Sequence, residues 1–203
     1  TRSRLSAGPV LTGALGLGLL TLIIGLMVTG ATQPPRIGDP GPLVRWGLPL
    51  LTLTWQVAAA ATVGLAGLAA FLMPERGSTD RRAIAMRYAA RSATVWAVAG
   101  GLTVLLTFAD LVGAPPTSAS VLSQFATFVF QLDYTRVMAI SAFVGLAIAI
   151  IASLARERST MAWITFIGLA GIVINALTGH AANAVGHEAA VNAMGFHLLG
   201  VSV

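Results

Sequence analysis

All three histidines of this 203-residue chain, His180, His187 and His197, fall within one stretch, TGHAANAVGHEAAVNAMGFH, Thr178–His197. Imidazole together with a thioether is the ligand set that suits copper, Cu(I) above all. Met194 lies three residues before His197, on the same face of a helix. Two local geometries are open. If the helix ahead of His180 continues, His180 and His187 project from one face, being seven residues apart. If the chain instead turns near AANAVGHE, His180 ends one helix, while His187 and Glu188 occupy the turn. His197 then lies about two turns into the next helix. Two antiparallel helices joined in this way carry His180 towards Met194 and His197. Glu188 and Asn183 are placed to orient the imidazoles by hydrogen bonds.

Each of these residues also has a plainer role. Rim histidines hydrogen-bond to lipid headgroups or neighbouring helices, and Met194 serves as packing. An unpaired imidazole among apolar residues is costly, which favours ligation at His180 and His197. His187, nearer to water, fits an auxiliary or entry position. Three functions from different classes are open: a copper site, a haem b carrier with His180 and His197 as axial ligands, and a metal-free structural or assembly subunit.

The elements that must position these residues follow from composition. Hydrophobic residues make up 56% of the chain and charged residues 9%, against about 25% charged in a soluble domain; the mean hydropathy is +0.84. Uncharged runs cover Leu5–Pro35, Trp46–Pro74, Ser92–Ala109, Val137–Ala155, Ser159–Gly179 and Ala189–Val203. A membrane-spanning helix needs about 20 mostly apolar residues, so the first five predict spans through a lipid bilayer. The sixth run has 15 residues and no polar flank, and reads as an unfinished span of a longer chain. The expectation is an all-α polytopic bundle forming a single transmembrane domain over 1–203. Its spans fall near 8–31, 47–73, 89–112, 135–155, 160–180 and 190–203.

Orientation comes from basic residues beside the spans. The chain has twelve arginines and no lysine. Nine arginines flank one side (Arg2, Arg4, the cluster from Arg76 to Arg91, Arg156 and Arg158) and three the other (Arg36, Arg45, Arg136). The richer side is expected to be cytoplasmic, with the N-terminus inside and the histidine stretch facing outward. The net charge of +5 expresses this bias. The arginines are spread over separate membrane-flanking links, and no nucleic-acid partner is expected. Asp110, at the outer end of the third span, is an ionisable group at the histidine level. Such a residue is a functional candidate, although solvation of a helix end would equally account for it. Asp133, three residues before Arg136, has the spacing of a local helical ion pair.

The links add detail. TQPPRIGDPGP, Thr32–Pro42, predicts a non-helical outer loop, and Glu75–Arg91 a basic approach that turns helical before the third span. In Ser120–Asp133 the apolar residues recur at helical spacing, which fits a short interfacial amphipathic helix or an early start to the fourth span. Gly100-Gly101 inside a span predicts a kink or close packing. No catalytic serine elbow, phosphate-binding loop, zinc-protease or dinucleotide fingerprint occurs, so an enzyme is not expected.

The stretch TGHAANAVGHEAAVNAMGFHLLGVSV resembles the histidine region of the copper resistance protein D (CopD) family. In that family a Gly-His-Ala ends one helix and a further histidine sits on the next, usually followed by W-x-G-G. Gly179-His180-Ala181 matches the first element and His197 the second, while Val203 falls where W-x-G-G would stand. The resemblance implies copper handling or transport at the bacterial cytoplasmic membrane. It also implies fusion, in actinobacteria, to a CtaG-like cytochrome oxidase assembly domain, with respiratory oxidase components as partners.

Overall fold

In a computed structural model of the chain, residues 7–74, 77 and 79–174 are described. All regular structure among them is helical. In chain order the helices are α1 (Ala7–Thr29), α2 (Pro42–Gly67), α3 (Thr79–Val112), α4 (Ala119–Gln131), α5 (Asp133–Leu154) and α6 (Arg158–Val173), and one π-helical turn (Leu68–Leu72) extends α2. Four helices, Thr12–Thr29, Pro42–Leu72, Thr79–Val112 and Tyr134–Leu154, are long and apolar enough to cross a membrane. The fifth expected span begins with the shorter apolar α6, and the sixth lies outside the described residues.

Boundaries shift where physical chemistry overrides an apolar count. α2 starts at Pro42 rather than 47. Proline's fixed φ and missing N–H suit the first helical turn, and Gly41 before it takes a φ of 91°. α3 starts at Thr79 rather than 89, so its 34 residues extend about 51 Å. That exceeds a hydrocarbon core of about 30 Å, and the surplus carries Arg81, Arg82, Arg87 and Arg91. The Thr32–Pro42 link is non-helical up to Pro42, as its Pro and Gly content predicts.

Helix α4 is separate from α5. Leu132 between them is extended (φ −92°, ψ 121°), which decides the Ser120–Asp133 segment in favour of a distinct short helix. Ser118 caps it through a hydrogen bond from the Val121 N–H, satisfying a donor that the first helical turn leaves free. Its apolar face then docks on α3, where Phe108 meets Phe128 at 4.7 Å and Phe125 at 6.0 Å between ring centroids.

The core is a ring of four helices in which α2 neighbours α3, α3 neighbours α5, α5 neighbours α6, and α6 closes on α2. Small residues make it possible. Ala58, Ala59, Ala66, Ala69, Ala89 and Ala93 are buried in one cluster. Trp96, fully buried, fits because Gly145 has no side chain: a Cβ there would lie 3.0 Å from the Trp96 ring. At Gly100 a Cβ would meet the Ala142 Cβ at 3.2 Å, so Gly100 serves close helix packing.

Side-chain hydroxyls stitch the ring together. The Trp96 indole donates to the Ser141 hydroxyl (3.3 Å), which donates to the Gly171 carbonyl (3.2 Å), linking α3, α5 and α6. Ser92 donates to the Ala58 carbonyl (2.9 Å), linking α3 to α2. Thr62, Thr103 and Thr165 are buried but donate one turn back along their own helices, which satisfies a hydroxyl where no water can.

The two ends of the bundle differ. At one, the Met73 carbonyl, past the π-turn, accepts from Arg82 (2.9 Å) and Arg158 (2.6 Å). At the other, the link before α2 meets the link after α3: a Cβ on Gly113 would lie 2.9 Å from the Gly38 Cα. Arg82 and Arg158, from two of the arginine-rich segments, therefore gather at one end.

Candidate functional site

Among the candidate residues, Asp110 is the one within the described chain; His180, Asn183, His187, Glu188, Met194 and His197 lie outside it. Asp110 is exposed near the end of α3, beside the buried Phe108 and Ala109. Its backbone carbonyl accepts from the Gly113 N–H (3.1 Å), closing the helix into the following link. A carboxylate in the last turn faces the negative end of the helix dipole, and no basic residue in that turn offsets it. The position therefore gains nothing from its own helix. Its exposure fits solvation of a helix end and a place in a polar site equally.

The course of α6 takes the described chain to its last residues. α6 begins at Arg158, beside Met73. A Cβ on Gly168 would lie 2.6 Å from Val63, and one on Gly171 would lie 3.2 Å from the Trp96 ring. Contacts thus move along α6 from the arginine-rich end into the middle of the bundle, in the direction of Asp110. Residues 175–203 follow from there.

No group of three or more His, Cys, Asp or Glu side chains able to hold a metal occurs among the described residues. Two polar features there escaped sequence reasoning. One is the Trp96–Ser141–Gly171 bridge; nothing in the spacing of Trp96 and Ser141, 45 residues apart, announces it. The other is the ion pair of Arg45 with Asp39 at the entry to α2. The signal for it was present: Asp39 precedes the Pro-Gly-Pro that opens the helix, and its carboxylate accepts from the Gly41 N–H (2.8 Å), an Asx-turn arrangement. That hydrogen bond, followed by the Arg45 contact, lowers the Asp39 pKa from its usual 3.8. Apart from these, the buried indole N–H of Trp55 has no hydrogen-bond partner among the described residues.

Comparison with known proteins gives one result. The family model described as "Copper resistance protein D-like, N-terminal domain" matches residues 42–190. No curated protein and no solved structure matches the chain. The matched segment starts with α2, leaves α1 outside, and runs through His180, Asn183, His187 and Glu188, ending before Met194 and His197. With four membrane-length helices and most of its length within that match, the chain is a multi-pass membrane protein and a member of the copper resistance protein D-like N-terminal domain family.

Proposed function

We propose that this protein binds copper at the end of the bundle remote from the arginine cluster and passes it across or along the cytoplasmic membrane. It is a binding and transfer protein, not an enzyme. His180 and His197 are the principal ligands, His187 an entry ligand and Met194 a thioether supplement. Glu188 and Asn183 orient the imidazoles, and Asp110 supplies negative charge at the same end. The arginine-rich end faces the cytoplasm, so the copper site faces outward. A CtaG-like assembly domain or respiratory oxidase components are the fitting recipients.

The observation that carries the reading is the family match, which takes in Gly179-His180-Ala181 and His187. The course of α6 towards the Asp110 end supports it. Neutral imidazole is the ligating form, so binding weakens as pH falls through about 6.5.

Metal analysis of the purified protein tests the site. His180→Ala/His197→Ala should remove most of the copper bound at this end, and His187→Ala much less. Full copper stoichiometry in the double variant would refute the ligand assignment, and a Soret band in the wild type would replace copper with haem b. In sealed right-side-out vesicles copper should bind from outside; binding only after permeabilisation would invert the orientation.

A further inference from the structure

A second set of soft ligands lies at the opposite, arginine-rich end. Arg82 on α3 and Arg158 on α6 donate to one atom, the Met73 carbonyl oxygen, which brings those two positions to the same height. Met86 is four residues beyond Arg82 and Met161 three beyond Arg158, about 6 Å and 4.5 Å further along their helices. The two methionines therefore stand at nearly one level. Each is 2% exposed, so both point inward. Helices α3 and α6 are diagonal in the four-helix ring, each packed chiefly on α2 and α5, with the Trp96 ring of α3 reaching across to Gly171 of α6. Inward side chains from diagonal helices at one level meet near the bundle axis.

The wall of α2 at this height leaves room for them. Contacts of Gly67 with Thr165 and of Val63 with Gly168 set an antiparallel register that carries Met161 towards residues near Ala70. Ala66, Ala69 and Ala70 are buried there, and alanine cannot reach the axis. Met73 packs against the same cluster. The π-turn before it takes the Met73 carbonyl out of the helical ladder, its own N–H bonding back to Leu68 (3.1 Å). Such wide turns recur at functional positions.

We propose that Met86 and Met161, with Met73 at their edge, form a thioether site for a monovalent soft cation, Cu(I), at the arginine-rich end of the bundle. Thioethers are neutral, soft donors that favour Cu(I) over hard or divalent ions. The guanidinium groups one turn away oppose a divalent cation twice as strongly as a monovalent one, because Coulomb energy scales with charge. The inference rests on the copper reading for the identity of the metal, and its ligands are independent of the histidines.

The chain contains no cysteine, so any sulfur bound to copper is a methionine. Cu(I) titration and copper-edge X-ray absorption on the full chain should show sulfur scattering that survives Met194→Leu. It should also survive His180→Ala/His197→Ala. In the Met194→Leu background, Met86→Leu/Met161→Leu, close in volume and tolerable to the core, should abolish it and lower the stoichiometry by one equivalent. If that variant does not fold, Met161→Leu alone should weaken Cu(I) binding at least about tenfold. Unchanged stoichiometry and sulfur scattering in the variant that folds, or loss of all sulfur scattering in the histidine variant, would overturn the site. Copper lost from the methionine variants but fully retained by the histidine variant would sustain this site and refute the outer one.

Discussion

Helices α1 and α3 are both apolar enough to span a membrane, yet only 6% of the α1 span is buried within the protein against 44% for α3. α3 touches α2, α4 and α5, whereas α1 stands almost free of the bundle. The family match likewise begins after α1. Hydrophobicity is not what separates them, because lipid tails satisfy leucine as well as another helix does. What α3 has is shape. Its Trp96 fits against Gly145 on α5 and Gly171 on α6, its Gly100 receives Ala142 of α5, and its serine and tryptophan donate across helix boundaries. α1 has glycines too, but nothing stands opposite Gly13, Gly16, Gly18 or Gly25. Its threonines, Thr12, Thr21 and Thr29, bond only back along their own helix. Small residues permit close approach without causing it; a complementary partner is required.

The comparison breaks first at Gly168. A Cβ there would lie 2.6 Å from Val63, which is itself buried, so Gly168→Leu should cost about 3 kcal/mol, the upper part of the overpacking range. Thermal unfolding in detergent should show a clear fall in Tm; an unchanged Tm would mean that α2 and α6 do not meet as closely as described.

A smaller effect is expected at the junction between the two regions, where Asp39 pairs with Arg45. The folded pKa of Asp39 is lowered by the Gly41 N–H and then by Arg45. Its contribution to stability is therefore complete above the unfolded value near 3.8 and lost as pH falls through the lower folded value. Asp39→Asn should flatten the acid limb of the Tm–pH curve below about pH 4 and lower the neutral Tm slightly, the two proteins converging in acid. Parallel acid limbs for the two proteins would show that the pair is not formed in solution.

The smallest effect is predicted for α1 itself. Gly16→Ala meets no atom within 4 Å and should be neutral, or stabilising by up to about 1 kcal/mol through helix propensity. A loss approaching that of Gly168→Leu would reveal a tight partner for α1 and dissolve the contrast.

The spans were legible because each is a long uncharged run, and lipid imposes helix on such a run. Their ends were less so: Arg45 near the start of α2 and the arginines at the start of α3 look like flanks, yet both segments are helical. The isolation of α1 could not be read from composition, since Leu17 or Ile24 facing lipid is no different in sequence from Ile148 facing protein. The candidate site divides in the same way. Asp110 was picked out by its charge near the end of an apolar run, and the structure shows it exposed near the end of α3. The histidines were conspicuous by type and clustering, and their geometry lies outside the described residues. Met86 and Met161 were invisible as a pair, because 75 residues separate them and only the diagonal placement of α3 and α6 brings them to one level.

Gly38 and Gly113 meet backbone to backbone, each with positive φ (64° and 66°), in the region that favours glycine. A joint made of two main chains has no rotamer through which to yield, so a side chain added at either position would have to push the two links apart. The spacing of α2 and α3 at this mouth is thus set by two residues that have no side chains at all.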